Sequence, residues 1–376
     1  MRLQSSKSIF IEWSLRPSSK APFNLLLIFI CFLSFMACES DPPPSPDPSD
    51  EVDRTEVVLE VPDHFRQPEI PASNMLTQAK IDLGKALFFD PILSRDQTVS
   101  CASCHPPELG FADPNILSIG IDGNRTKRHS MSLVNLFYAN SFFWDGRSPS
   151  LEAQAVLPIF DPLEMDNTEE EVLNSLNSSE KYLRLFKRAF GDTAKMNYIG
   201  QALASFERTL ISSESTYDQF LASQDSSVFT AQEWRGYKLF FAERSNARHA
   251  ECFHCHSGFN LDDRANPAGG FRNNALDEFY EDQGRGAITQ RSRDVGKFKV
   301  PTLRNIEFTA PYMHDGRFQT LEEVIDHYAS GGQPHVNRDP LMLNILVDEE
   351  GKKDLLAFLK TLSDPNFLSN PEFRPE

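Results

Sequence analysis

One short motif occurs twice in this chain and restricts its fold more than any other feature. Residues 101–105 read CASCH and residues 252–256 read CFHCH, so each copy has two cysteines three positions apart and a histidine directly after them. The chain has six cysteines, and the two outside the motifs are Cys31 and Cys38. No cysteine therefore remains for a disulfide framework. A motif of this kind can hold zinc, act as a redox pair or attach a haem.

The apolar run at residues 24–37 follows several basic residues and predicts export, because it is too short for a membrane span but suits a signal-peptide core. Cys38 follows a small residue, as in bacterial lipoprotein cleavage sites, so we predict a signal peptide at 1–37 and an acyl group on Cys38. Ordinary signal cleavage and a retained anchor helix are the alternatives. Residues 38–60 are rich in Pro, Ser and acidic residues, which predicts a disordered tether and a folded part that begins near Val61. The expected location is the periplasm or the outer membrane, with the lipid as the only membrane contact.

Composition excludes some partners. The net charge of −17 excludes nucleic acid, because phosphate binding needs clustered Lys and Arg. An acidic surface can steer a basic protein partner or simply keep the protein soluble. The 376 residues suit two domains, and the 30 Phe supply apolar surface for cores and for cofactor pockets.

Apolar residues recur at helical spacing through most of the chain, and few runs alternate as strands do, so we predict a mainly α fold. The predicted helices are 76–90, 168–191, 196–212, 231–242, 320–329 and 351–362. A loose repeat is also present, because LGKALFFD precedes CASCH and RGYKLFFA precedes CFHCH. The repeat predicts two related helical units, at 61–225 and 226–376.

These helices decide between the three uses of the motif. A thioredoxin-like redox pair needs a preceding strand, and zinc needs four ligands at each site. In an exported helical chain, two such motifs favour covalent haem, in which the thiols add to the haem vinyl groups and the histidine ligates the iron. The predicted attachment residues are Cys101, Cys104, Cys252 and Cys255, and the predicted iron ligands are His105 and His256.

Four further stretches resemble the bacterial di-haem cytochrome c peroxidases. They are LGKALFFDPILSRDQTVSCASCH (83–105), FFWDGRSPSLEAQAVLPIFDPLEM (142–165), ALASFERTL (202–210) and KVPTLRNIEFTAPYMHDGRFQTLEE (299–323). The resemblance covers about residues 75–365. It implies two cytochrome-c-like domains with one covalent haem c each. It also implies reduction of hydrogen peroxide at the N-terminal haem, with electrons from a small donor such as a cytochrome c entering at the C-terminal haem.

The resemblance also implies roles for single residues. Trp144 matches the tryptophan on the electron path between the haems, and His314 matches a loop histidine of the C-terminal domain. Glu164 matches the acid–base residue above the peroxidatic iron, and Gln154 matches a polar residue of the same pocket. Cleavage of an O–O bond needs a proton moved from one oxygen to the other, and a carboxylate can do both steps.

Two positions depart from the family pattern. Ile121 stands where members that need reductive activation carry a histidine that caps the peroxidatic iron, so we expect that iron to be open or capped by water. His129 could replace the missing histidine only if its loop rearranged. Tyr328 stands where the sixth ligand of the C-terminal haem is usually methionine, and Met313 and Met342 are rival ligands. A phenolate favours ferric iron, whereas a thioether favours ferrous iron.

These departures resemble MauG, the relative that uses peroxide to oxidise residues of a partner protein. Family members also bind calcium between the domains. The carbonyl positions for calcium are present at Thr309 and Pro311, but His129 replaces the asparagine, and imidazole is a poor calcium ligand. Calcium therefore stays open, as does a homodimer.

Three functions are consistent with the sequence. The first is peroxide reduction with electrons from a small donor protein, and the second is MauG-like oxidation of a protein or organic substrate. The third is electron transfer without catalysis, which would be expected to need six ligands on both irons. The residues at positions 121 and 328 argue against the third.

Overall fold

The computed structural model describes residues 51–243, 245–263, 270–343 and 345–375. The predicted signal peptide, the acylated cysteine and most of the predicted tether lie outside these ranges. The described residues belong to one compact unit. None of their helices is both long and apolar enough to span a bilayer.

The described chain is mainly helical, as predicted. The α-helices are α1 Gln78–Phe89, α2 Cys101–Cys104, α3 Leu151–Ala155, α4 Leu157–Phe160, α5 Glu169–Ser178, α6 Glu180–Phe190, α7 Met196–Glu207, α8 Thr216–Ser223, α9 Ala231–Phe240, α10 Arg285–Thr289, α11 Leu321–Ser330, α12 Glu349–Lys360 and α13 Pro365–Ser369. Two short strands, β1 Phe271–Arg272 and β2 Phe298–Lys299, form an antiparallel pair. Short 3₁₀ turns and long loops connect these elements.

The helix predicted at 168–191 is wrong in one respect, because the structure has two helices there. Ser179 is extended, with φ −93° and ψ 118°, and separates α5 from α6. It lies at the end of a polar Asn-Ser-Ser run. Such side chains compete for backbone hydrogen bonds and favour helix ends over helix interiors.

The folded part also begins earlier than Val61. The Asp53 carboxylate accepts a hydrogen bond of 3.0 Å from the Ala79 N–H at the start of α1. The Val57 N–H donates to the Leu76 carbonyl at 2.9 Å. The predicted tether is therefore wrong for these residues, because an acidic side chain near a helix N-terminus satisfies a backbone donor there.

The two repeats predicted from sequence form equivalent helix crossings. Helix α1 crosses α7 at Gly84, where an added Cβ would lie 1.9 Å from the Ala202 carbonyl oxygen. Helix α9 crosses α12 at Gly236, where an added Cβ would lie 1.9 Å from the Asp354 carbonyl oxygen. Both crossings therefore require glycine. Each helix pair forms part of its own hydrophobic cluster.

At the ends of the two predicted units, some residues pack in the hydrophobic cluster of the other unit. Tyr217 and Phe220 of α8 pack in the second cluster, although they precede the predicted boundary at residue 225. Phe367 and Phe373, near the C-terminus, pack in the first cluster. The two-domain division stays a prediction, and the packing indicates that the chain tail returns to the first unit.

Candidate functional site

The histidines of the two motifs are held in the same way. His105 follows helix α2, and its Nδ1 lies 2.8 Å from the Phe111 carbonyl oxygen. Nδ1 of His256 lies 2.9 Å from the Leu261 carbonyl oxygen. A carbonyl only accepts hydrogen bonds, so Nδ1 carries the proton and Nε2 keeps its lone pair. Burial lowers the pKa of both imidazoles, which keeps them neutral as metal ligation requires.

The two carbonyls that hold the histidines lie in similar turns. Phe111 has φ 58° and Leu261 has φ 50°, and both side chains are fully buried. Left-handed backbone costs a residue with a side chain about 1–2 kcal/mol. Burial of the large apolar side chains offsets this cost, so both turns fix the orientation of their imidazoles.

The cysteines of the motifs are unpaired and partly buried. Burial raises the pKa of Cys104, Cys252 and Cys255 to about 12, and it raises that of Cys101 further. A redox pair needs a thiol that ionises near neutral pH. The protonated thiols therefore argue against the redox alternative.

A cavity of about 1030 Å³ joins the two motifs. Its lining includes the predicted site residues His105, Trp144, Gln154, Glu164, Cys252, Cys255, His256 and Tyr328. Cys101 and Cys104 are the first and last residues of α2, directly before His105, and are not among the described lining residues. Two neutral imidazoles with Nε2 lone pairs, adjacent thiols and a largely apolar cavity fit covalently attached haem.

Glu164 lies in this cavity without a charged partner at hydrogen-bond distance in the described chain. Burial raises the pKa of its carboxyl group to about 7, with a smaller contribution from Asp161, while Arg147 lowers it. The backbone of Glu164 is fixed, because its N–H donates to the Asp161 carbonyl at 2.9 Å. Gln154, at the end of α3, supplies an amide to the same cavity.

Ile121 is packed away from this cavity. Its side chain is buried, it is not among the described lining residues, and its N–H donates to the Glu164 carbonyl at 2.8 Å. A Cβ on Gly120 would lie 2.0 Å from the Leu163 carbonyl oxygen, so this segment lies tightly against the one that carries Glu164. The His129 imidazole contacts the Asn115 carbonyl oxygen through Nδ1 at 3.1 Å.

Trp144 of the predicted N-terminal unit contacts His314 of the predicted C-terminal unit. Their ring centroids lie 6.5 Å apart in an edge-to-face arrangement, and Phe298 stacks on His314 with centroids 3.7 Å apart. The Trp144 Nε1–H donates to the His129 carbonyl at 2.8 Å. Two backbone bonds cross the contact reciprocally, from His129 N–H to the His314 carbonyl at 2.8 Å and from Lys299 N–H to the Trp144 carbonyl at 2.7 Å. We call this contact the seam.

Ion pairs reinforce the seam. Arg128 binds both carboxylate oxygens of Asp282, at 2.6 and 2.7 Å, and donates to Asp145 at 2.6 Å. The Arg285 guanidinium donates to the backbone carbonyl of Asp145 at 2.9 Å. Asp145 is 4% exposed, and its carboxylate pairs with Arg128 and Arg147, so loss of either arginine leaves a buried carboxylate with fewer partners. The sequence did not reveal Arg128 or Phe298, because their partners are far away along the chain.

Trp144 and His314 occupy equivalent positions in two similar loops. Residues 142–148 read FFWDGRS and residues 312–318 read YMHDGRF, and an antiparallel bridge closes each loop. Each loop has an arginine that pairs with the aspartate two residues before it. Aligning the two DGR segments would have found this second repeat in the sequence.

Tyr328 lies in α11 and lines the cavity on the side of the second motif. Its hydroxyl lies 3.5 Å from the Asn274 side-chain nitrogen, and the same nitrogen lies 3.2 Å from the Met313 sulfur. Burial raises the pKa of Tyr328 to about 12, and the Asn274 hydrogen bond opposes this shift. Met342 lines the cavity as well. The structure therefore brings all three candidate ligands to one region, and ligation stays a prediction.

The residues considered for calcium, Thr309, Pro311 and His129, all line the same cavity. This placement is compatible with the calcium hypothesis, which stays a prediction.

Comparison with known proteins identifies the family. A profile described as "Di-haem cytochrome c peroxidase" matches residues 78–226. The methylamine utilization protein MauG of Methylorubrum extorquens is 38% identical, over 82% of this chain and 86% of that protein. The cytochrome c551 peroxidase of Nitrosomonas europaea is 36% identical, over 76% of this chain and 81% of that protein. The chain belongs to the di-haem cytochrome c peroxidase and MauG family.

Solved structures agree with this assignment. A MauG-like protein associated with microbial copper homeostasis has a TM-score of 0.75 and 33% identity, over 84% of this chain and 98% of that one. The diheme peroxidase BthA from Burkholderia thailandensis has the same fold, with a TM-score of 0.66, 22% identity, and coverage of 85% of this chain and 95% of that one. The chain is an oxidoreductase of the cytochrome c peroxidase type. Some of its relatives are named peroxidases and others are named MauG. Sequence similarity therefore establishes the class of enzyme, and the specific role has to be argued from the residues of the site.

Proposed function

We propose that this chain reduces hydrogen peroxide at the His105 site, with electrons reaching that site from the His256 site across the seam. The observation that carries the proposal is Glu164, a partly buried carboxyl group that lines the same cavity as His105 and whose pKa is raised to about 7. A group with this pKa can both accept and donate a proton at neutral pH. The overall reaction consumes one peroxide, two electrons and two protons and yields two water molecules.

Two haem c groups would be held by the four motif cysteines, with His105 and His256 as iron ligands. Haem, when bound there, would supply redox-active iron for the reduction of peroxide. Glu164 takes a proton from one peroxide oxygen and delivers it to the other. The Gln154 amide orients the peroxide by hydrogen bonding. Trp144 would serve the electron path between the sites, and His314 lies edge-to-face against it with ring centroids 6.5 Å apart.

Glu164→Gln tests this proposal. Hydrogen peroxide is added to the fully oxidised, never-reduced holoprotein, and the haem absorption spectrum is followed by stopped flow. We expect the second-order rate of the spectral change to fall about 100- to 1000-fold, because general acid–base catalysis contributes about that much. In the wild type this rate should rise as pH passes upward through about 7, where Glu164 loses its proton, and the variant should lack this rise.

Asp161→Asn is the matched control. Asp161 raises the pKa of Glu164, and the asparagine keeps the oxygen that accepts the Leu163 N–H at 2.9 Å. The pH at which the rate rises should therefore move downward while the maximal rate is retained. An unchanged rate in Glu164→Gln would exclude Glu164 as the acid–base group.

A MauG-like role is the second candidate, and positions 121 and 328 favour it. Ile121 cannot cap the iron, so no reductive release of a capping ligand is needed. A tyrosine ligand on the second iron stabilises its oxidised state. Steady-state turnover of peroxide with a reduced small cytochrome c would support the peroxidase role. A rapid reaction with peroxide without turnover of the cytochrome would support oxidation of a protein or organic substrate.

We also propose that the chain is exported and anchored through lipid on Cys38. Support comes from the N-terminal sequence alone, since Cys38 lies outside the described residues. Replacing Cys38 by Ser should move the holoprotein from the membrane fraction to the soluble periplasmic fraction. Retention in the membrane fraction would favour an uncleaved anchor helix instead.

A further inference from the structure

We infer that Asn274 selects the sixth ligand of the second iron by favouring Tyr328 over Met313. This inference rests on the proposed function, because it takes the His256 site to hold a haem. Asn274 would be a positioning residue, since it acts on the ligand and does not itself bind iron.

The geometry places one amide between the two rivals. The Asn274 nitrogen lies 3.2 Å from the Met313 sulfur and 3.5 Å from the Tyr328 hydroxyl oxygen. An asparagine amide has two N–H donors, so it can serve both atoms. All three residues line the cavity that contains His256.

The amide does not serve both rivals equally. A thioether sulfur is a weak hydrogen-bond acceptor, whereas the oxygen of a ligating tyrosine carries negative charge. Hydrogen bonds to charged oxygen are roughly twice as strong as those between neutral groups. The Asn274 N–H groups therefore stabilise tyrosine ligation more than methionine ligation, and they stabilise the Met313 sulfur where it is.

Asn274 is fixed from several sides, as a selecting residue must be. Its backbone carbonyl accepts a hydrogen bond of 2.8 Å from Nε2 of His327, the neighbour of Tyr328. The following residue, Ala275, donates to the Asn273 side chain at 2.8 Å and accepts from the Gln333 N–H at 2.8 Å. These bonds fix the backbone from which the Asn274 amide reaches both rivals.

Met313 is likewise constrained. It has φ 77°, an uncommon value for a residue with a side chain, in the loop that also carries His314. Tyr328 lies on a regular helix, so the two rivals approach the cavity from different elements. A substitution at Asn274 should therefore change the ratio of tyrosine to methionine ligation while both candidate ligands stay in place.

Asn274→Leu and Asn274→Asp in the holoprotein test the inference. Leucine has a similar volume and no donor, and aspartate keeps the shape of asparagine but presents oxygens only. We expect both variants to shift the ratio of tyrosine- to methionine-ligated ferric haem roughly tenfold toward methionine, the effect of losing one good hydrogen bond. The readouts are the far-red thioether charge-transfer band, the phenolate bands in resonance Raman spectra and the reduction potential of this haem, which should rise.

Two reference variants separate the outcomes. Tyr328→Phe should remove the phenolate bands of the wild type. If its spectrum equals that of the wild type, tyrosine ligation is wrong and the inference is wrong with it, while peroxide reduction at His105 is unaffected. Met313→Leu combined with Asn274→Asp should remove the thioether band that the single Asn274 change creates.

The inference is overturned if both Asn274 variants keep the wild-type bands and potential. If the thioether band persists in the double variant, Met313 is not the methionine ligand and Met342 is indicated instead. That result would also overturn the inference, because it names Met313 as the rival. Should Asn274→Leu fail to retain haem, the shape-preserving Asn274→Asp decides alone.

Discussion

The His105 and His256 sites share the same arrangement of crossed helices, motif and turn, which we call the frame. They differ in the other side chains that line the cavity. In both, a glycine allows two helices to cross, a CxxCH motif follows, and a left-handed turn offers its carbonyl to the histidine. Glu164 and Gln154 are predicted for the first site, Tyr328 and Met313 are predicted for the second, and all four line the same cavity. We propose that the frame holds a metal ligand at each site and that these side chains decide between peroxide chemistry and electron transfer.

Substitutions at the two helix crossings should have the largest effects on stability and therefore test most directly whether the two frames are equivalent. We expect Gly84→Ala and Gly236→Ala each to lower the free energy of unfolding by about 3 kcal/mol, because the new Cβ would lie 1.9 Å from a backbone carbonyl at both places. Urea unfolding of the holoprotein measures this. Gly351→Ala in α12 is the control, because its Cβ would meet only side chains, the nearest being Val347 Cγ1 at 2.8 Å, and should cost less than a clash with backbone. Unequal effects of the first two changes would show that the crossings are not equivalent.

The two halves of the seam carry different residues at one pair of equivalent positions, 128 and 298. Since His129 and Lys299 make reciprocal bonds, Arg128 corresponds to Phe298, and the two residues meet with the guanidinium 5.7 Å from the ring centroid. Arg128→Met should lower the free energy of unfolding by about 2 kcal/mol, because it leaves the buried Asp145 with fewer partners.

The same variant should slow electron transfer between the sites while the first reaction with peroxide keeps its rate. Arg95→Met is the control, since Arg95 pairs with exposed Asp122 and should change stability by less than about 1 kcal/mol. Equal losses in both variants would mean that the ion pairs at the seam have no special role.

A smaller difference lies in the helices behind the motifs. Glu207 in α7 is 5% exposed, and its Oε2 has no hydrogen-bond partner in the described chain; the equivalent position in α12 is Leu359. Burial raises the pKa of Glu207 from 4.5 to about 8. Between these values the folded protein holds a proton that the unfolded chain releases, so stability falls as pH rises from about 4.5 to about 8.

Glu207→Gln should reduce this slope by at most about 1.4 kcal/mol per pH unit, the limit for one group. Glu164, whose pKa is raised to about 7, contributes a slope of the same sign that should remain. The measurement is the free energy of unfolding at pH 5, 6 and 7. Glu152→Gln is the contrast, because hydrogen bonds and charge from Arg208 lower the pKa of Glu152 despite its burial. That variant should lose stability at neutral pH. A slope that is unchanged in Glu207→Gln would assign the pH dependence to other groups alone, such as Glu164.

Local sequence patterns predicted the helices and the motif histidines of the frame. They did not predict which residues contact each other across the cavity. Helical spacing gave α1, α7, α9 and α12 nearly as they are, and the CxxCH spacing gave the two histidines. Asn274, Arg128 and Phe298 carry no local signal, because their importance depends on partners brought together only by folding. The break at Ser179 was readable from its polar neighbours, and the early start at Asp53 was not, because a single acidic residue in a polar segment has many uses.

The reciprocal bonds of the seam have the form of a two-fold dimer interface, in which residue i contacts j on one side and the equivalents of i and j meet on the other. Here both partners belong to one polypeptide. Two separate one-haem proteins would part on dilution, whereas these halves face each other at a fixed effective concentration. The distance between the two redox sites is thus independent of how much protein the cell makes.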